Sequence, residues 1–153
     1  MKNSYDIQRF VDAHNTDFEK ALTEVRNGKK TSHWMWYIFP QIKGLGKSSI
    51  SQYYAIKDIN EAKEYIKNQQ LHDDMYLITN ELLRQEENNP TVIFGRPDDR
   101  KLQSSMTLFS IADTDNQIYE NVLNKFYNGK KDNRTLYILK NEGNDVIRKN
   151  MSE

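Results

Sequence analysis

The chain contains no cysteine, and only three prolines, six glycines and two tryptophans in 153 residues. Without thiols it forms neither a disulfide framework nor a cysteine-based zinc site. It needs neither, because a chain of this length fits one domain and buries roughly 68–70% of its unfolded surface. No excess of charge is present either: 22 Lys and Arg balance 22 Asp and Glu. This argues against duplex nucleic acid as a partner, since a basic face normally supplies that affinity. No run approaches the ~20 apolar residues of a membrane span, and the opening "MKNSYDIQRF" has no apolar signal-peptide core. A cytoplasmic protein with no membrane partner is the expectation. The three histidines show no H-x-x-x-H or H-E-x-x-H spacing, so neither metal nor cofactor is expected. Alternating strand patterns with hairpin turns and fixed-period repeats are also lacking.

What is there is helical periodicity. Ile7, Phe10, Val11 and His14 step by three and four, and Thr16 with Glu19 makes a capping-box pattern ahead of Phe18, Leu22 and Val25. Two helices are therefore predicted before Gly28. Asp58 caps another, with Ala62, Tyr65 and Ile66 as its stripe, and Leu71, Met75, Ile78 and Leu82 form the next, ended by "NNP" at 88–90. Pro97, Asp98 and Asp99 suit a helix N-terminus ahead of Leu102, Met106 and Phe109. Thr114 or Asp115 caps a helix bearing Ile118, Val122 and Phe126, and Asp132 opens a last short helix with Leu136 and Leu139. The expected fold is all-α, a compact bundle of about seven to nine helices, with one domain over 1–142 and a frayed tail over 143–153.

Both tryptophans lie in "TSHWMWYIFPQ", residues 31–41. "MWYIFP" fits a short buried strand or a helical turn stopped by Pro40. Its aromatics act either as core anchors or as a wall on which a planar ligand stacks, with His33 and Gln41 as hydrogen-bonding tips. "GLGKSS", 44–49, resembles a phosphate loop, but G-x-x-x-x-G-K-[ST] needs glycine where the chain has Gln41, and no parallel α/β fold surrounds it. A turn whose amides hold an anion is the milder reading. In "IFGRPDDRKLQSSMTLF", 93–109, Asp98, Lys101 and Ser105 share one helix side, and the adjacent Ser104 and Ser105 are poor helix formers able to donate to a ligand.

These stretches, written in full as "SHWMWYIFPQIKGLGKSSISQYYAI", "IFGRPDDRKLQSSMTLF" and "KFYNGKKDNRTLYIL", resemble the bacterial family called domain of unknown function 1810. The resemblance runs from "IQRFVDAHN" to about Leu139 and implies a single all-α domain without an established activity. The chain departs from the family pattern at Asn68, where members often carry histidine.

Two functions are expected from different classes. In the first, segments 32–48 and 98–107 form a cleft for a small polar ligand with a planar ring, nucleotide-like or ADP-ribose-like. There Trp34 or Trp36 stacks, Gln41, Ser104 and Ser105 donate or accept, and the backbone at Gly44, Gly46 and Ser48 with Lys101 holds negative charge. His33 or Asp99 serves as general acid or base if the ligand is hydrolysed. In the second, the aromatics dock a protein partner and no catalysis occurs.

Overall fold

The computed structural model describes the backbone of residues 5–151 and the side chains of residues 5–142. Among them are nine helices: α1 Gln8–Arg26, α2 Met35–Ile38, α3 Ser49–Tyr54, α4 Ile59–Lys67, α5 Gln69–Arg84, α6 Pro90–Phe94, α7 Asp98–Ala112, α8 Ile118–Tyr127 and α9 Asn133–Met151. No strand is formed among the described residues, where one isolated parallel bridge joins Ile42 to Ile56. No described helix is long and apolar enough to cross a membrane.

The element at the centre is α7, on which α2, α4, α6, α8 and α9 all pack. Its residues Ser104 to Ser110 are buried without interruption, although four of the seven are Ser or Thr. Small hydroxyl side chains can lie at the centre of an all-helical core because they bond the carbonyl a turn earlier. Ser104 donates to Arg100 O at 3.1 Å, Thr107 to Gln103 O at 2.8 Å and Ser110 to Thr107 O at 2.7 Å. Leu102, Met106 and Phe109, the apolar stripe expected from the sequence, are fully buried among them.

Three sequence readings change: the number of helices before Gly28, the cap of α8, and the length of the last helix, which is not short. The expected pair of helices before Gly28 is one, α1, because Phe10, His14, Phe18, Ala21 and Val25 form an unbroken buried stripe across the supposed junction. Thr16 does not cap; its hydroxyl donates back to Asp12 O, as a threonine inside a helix does. For α8, the side chain that receives the first free amide, Ile118 N, is Asn116 and neither Thr114 nor Asp115. The predicted caps Asp58 and Asp132 bond Glu61 N and Thr135 N, and Asn68, the departure from the family pattern, accepts from Leu71 N. The helix opened by Asp132 runs to Met151. The expected tail, 143–153, falls where no side chain is described, and 152–153 lie outside the described residues.

A buried ion pair fixes the loop between α2 and α4. Arg9 on α1 meets Glu61 on α4 at 2.8 Å and also donates to the Tyr53 and Ala55 carbonyls. With Ala55 held, Ile56 N donates to Gln41 O and Lys43 N to Ile56 O, both at 2.8 Å. That bridge sets the course of residues 41–46 along α7 and α9.

Candidate functional site

The site begins with Glu24, near the end of α1. One carboxylate oxygen accepts from Thr31 N at 2.7 Å, Ser32 N at 2.9 Å and the Trp34 indole N–H at 2.9 Å. Burial alone would raise its pKa, but these donors, with the Ser32 hydroxyl, outweigh that and pull it down to about 2. A carboxylate so held gathers the loop onto the end of α1 and draws Trp34 into the core, where its ring packs near Phe39 and Phe94. Trp36, two residues on, faces outward from the single turn of α2.

Outside α2 lies a cleft of about 280 Å³. Trp36, Gln41 and Gly46 line one side, Arg100, Lys101 and Ser104 of α7 the second, and Asp132 and Arg134 at the start of α9 the third. The Lys101 ammonium lies 3.9 Å from the Trp36 ring centroid and 2.9 Å from Asp98, a cation on an aromatic face with its counter-charge behind it. Asp98 also holds Lys30 at 2.7 Å. Burial pushes the Asp98 pKa up, yet the hydrogen bonds from Lys30 and Lys101 overcome it and leave the carboxyl below its ordinary value. No carboxylate lies within salt-bridge distance of the Arg100 and Arg134 side chains among the described residues, and both are exposed at the cleft. Asp132, the carboxylate lining the cleft, accepts from Thr135 N and the Thr135 hydroxyl through Oδ2, against the positive end of α9.

The structure thus brings together Trp36, Gln41, Gly46, Lys101 and Ser104 of the residues expected in a site. The others go elsewhere. Trp34 is 1% exposed, its N–H bonded to Glu24 within the core. His33 is on the surface outside the cleft lining, and its carbonyl accepts from the Tyr37 hydroxyl. Asp99 turns away from the cleft to accept from the Thr91 hydroxyl at 2.6 Å and from Arg100 N. Ser105 is fully buried, with its hydroxyl unpartnered, and is not among the residues lining the cleft. Ser48 caps α3 by accepting from Ser51 N. Gly44, at φ +109°, is a turn residue beside Ile138 and outside the cleft. Gly46 is required by a close approach, because a Cβ there would stand 2.5 Å from Ser51 Oγ. Among the described residues, no group of three or more His, Asp or Glu side chains is placed to hold a metal ion.

A family model described as protein of unknown function, DUF1810, matches residues 4–139. The chain belongs to the DUF1810 family. A solved structure, that of the conserved hypothetical protein Rv1873 from Mycobacterium tuberculosis, is similar to this DUF1810 chain at 38% identity and a TM-score of 0.87. The match covers 90% of this chain and 99% of that one. No curated protein matches.

Every residue lining the cleft of this DUF1810 chain lies within the matched range. Leu45, Pro97, Arg100, Asp132 and Arg134 are the lining residues that sequence reasoning did not place in a site. Arg100 precedes Lys101 in "DDRK", and Arg134 stands in the family-like stretch "KFYNGKKDNRTLYIL". What was missing is the fold, which carries the start of α9 back beside the middle of α7. Asp132 N donates to the Thr107 hydroxyl at 2.9 Å, and Gln103 Nε2 to Lys130 O at 2.9 Å.

Proposed function

We propose that the protein binds a small anionic ligand with a planar ring, nucleotide-like or ADP-ribose-like, in the cleft between α2, α7 and α9, and that it does so without catalysis. The observation that carries this is the pair Arg100 and Arg134, two exposed guanidiniums with no carboxylate in salt-bridge distance, facing a cleft that also holds the Trp36 ring and its Lys101 cap. Guanidinium forks match phosphate oxygens bidentately, and an indole offers the flat apolar surface a base or similar ring needs. Gln41 supplies an amide that can read the edge of that ring. Hydrolysis loses its support, because His33 and Asp99, the residues expected to act as acid or base, lie off the cleft, and the carboxylate on it is a helix cap.

A protein-docking module is the weaker reading, since the aromatics expected to form its surface, Trp34, Tyr37 and Phe39, are buried. Among the described residues the exposed large apolar side chains, Ile50 and Tyr53, Tyr76 and Leu77, Val92, and Tyr137, are spread over four helices.

Titration of tryptophan fluorescence tests the proposal. Trp34 is sealed in the core, so Trp36 is the reporter facing the cleft. A saturable change is expected with AMP, ADP or ADP-ribose, weakened about tenfold or more in Arg134→Ala. A folded protein giving no change with any of them sinks the reading.

A further inference from the structure

We propose that the cleft is one lobe of a two-lobed site, and that the ligand carries a ring at one end and a hydroxyl-rich group at the other, joined through phosphate. A nucleoside diphosphate sugar is the chemical class, in preference to a mononucleotide. This rests on the binding reading above and sharpens it.

Past the arginines lies a second concavity of about 520 Å³, lined by α7, the 127–132 turn and the start of α9. Arg100, Asp132 and Arg134 line both hollows, so the two adjoin and the guanidiniums stand between them. The lobes differ in chemistry. The first has Trp36 and Leu45 with one amide, Gln41, and suits a ring. The second has Gln103, Asn128 and Asn133, amides that donate and accept, and suits the hydroxyls of a sugar. Its wall is fixed: the Tyr127 hydroxyl bonds Asp99 O, and Asn128, at φ 55°, turns the chain so that Lys130 and Lys131 come back toward α7. Lys131 is paired with Glu120 at 3.0 Å, whereas Lys130 has no such partner among the described residues.

Charge places the linker. The chain as a whole is neutral, and of the five cations lining the two lobes Lys101 and Lys131 are paired with Asp98 and Glu120, which leaves Arg100, Lys130 and Arg134 against the carboxylate of Asp132. With an arginine from α7 and another from α9 at the junction, a diphosphate there would receive a guanidinium from each side, and its two ends would extend into the two lobes.

Calorimetric titration with AMP, ADP and ADP-ribose on the full chain decides the matter. ADP carries more negative charge than ADP-ribose but lacks the second end, so pure charge attraction ranks ADP first. Two lobes instead make ADP-ribose tighter than ADP by about tenfold or more, because the second end binds as an already tethered group. The double variant Lys130→Ala, Asn133→Ala is then expected to bring the ADP-ribose to ADP ratio of affinities back toward one. Equal affinities for ADP and ADP-ribose in the wild type overturn the two-lobed site while leaving nucleotide binding intact. A ratio unmoved by the double variant overturns it as well. If AMP, ADP and ADP-ribose all fail to bind, the binding reading falls and this inference falls with it.

Discussion

Glu24 offers the sharpest test of how the loop ahead of the cleft is held. In Glu24→Ala, three donors lose their acceptor, but they are not equal. Thr31 is exposed and Ser32 half-buried, so water can replace the carboxylate at their amides, whereas the Trp34 N–H is sealed in the core and stays unpaired. An orphaned buried donor costs ~1–3 kcal/mol, and the loss of charge-assisted bonds at the loop adds to it, giving about 3 kcal/mol in all. For a chain of this size that is a fall in Tm of about 6–12 °C. Glu24→Gln keeps an oxygen in place and should cost about 1–2 kcal/mol.

The same carboxylate predicts a pH dependence. Its pKa is lowered from 4.5 to about 2 in the folded protein. A depressed pKa gives stability that is complete above the unfolded value and is lost as pH falls through the folded one. That difference is worth at most about 3 kcal/mol, and solvent at the mouth of the loop reduces it to about 1–2 kcal/mol. Urea unfolding of wild type and Glu24→Gln, followed by fluorescence, should therefore show a gap that is constant above about pH 5 and shrinks by about 1 kcal/mol by pH 3. A gap that stays the same from pH 6 to pH 3, or an alanine variant within about 0.5 kcal/mol of wild type, would refute the reasoning.

Arg9 and Glu61 should each cost about 3–5 kcal/mol when replaced singly by Met or Leu, while the double replacement costs less than either, as a double-mutant cycle in urea would show; additive losses would contradict the buried pair. Gly46→Ala places a methyl 2.5 Å from Ser51 Oγ and is expected to lower stability by ~1–3 kcal/mol, with Ser51→Gly restoring part of it. Thermal unfolding of the two variants and their combination checks this. Lys101→Met keeps an apolar stem against Trp36 but removes its charge, so the affinity for ADP should fall about tenfold while stability shifts by less than about 1 kcal/mol. A variant binding ADP as tightly as wild type would remove Lys101 from the site.

How much of this was legible depended on whether the signal was local. The stripes of α5 and α7 and the caps Asp58 and Asp132 were readable because each rests on residues within one or two turns. Thr16 misled because its spacing to Glu19 matches a cap, while the stripe from Phe10 through His14 to Phe18 continues across it. Of the five expected residues that line the cleft, four lie on the aromatic motif or on α7, where unusual residues cluster. Arg134 could not be grouped with them, because only the packing of α9 on α7 puts it beside Arg100. His33 was chosen for its place beside the aromatic stretch and Ser105 for the helix side it shares with Lys101, and the fold sends one to the surface and the other into the core.

The aromatic motif itself resolves the alternatives that sequence left open. In a helical turn, residues two apart point about 200° apart, nearly opposite ways. Here Trp34 is the N-cap of α2, which runs from Met35 to Ile38, and the two rings take different sides: Trp34 is buried in the core, while Trp36 is half-buried and lines the cleft. Glu24 settles the sides: by accepting the Trp34 N–H it pins that ring inward, and the spacing then turns Trp36 out toward α7. One tryptophan therefore anchors the loop so that the other is presented to the cleft at a fixed position, beneath Lys101. The consequence is directional. Loosening Trp34, as in Glu24→Ala, should weaken ADP binding at Trp36 although Glu24 lies outside the cleft, whereas Trp36→Ala should abolish ring binding and cost in stability only what the part of its ring packed on the core supplies. Reversal of those two effects would mean that Trp36 belongs to the core and that the ligand, if one binds, sits elsewhere.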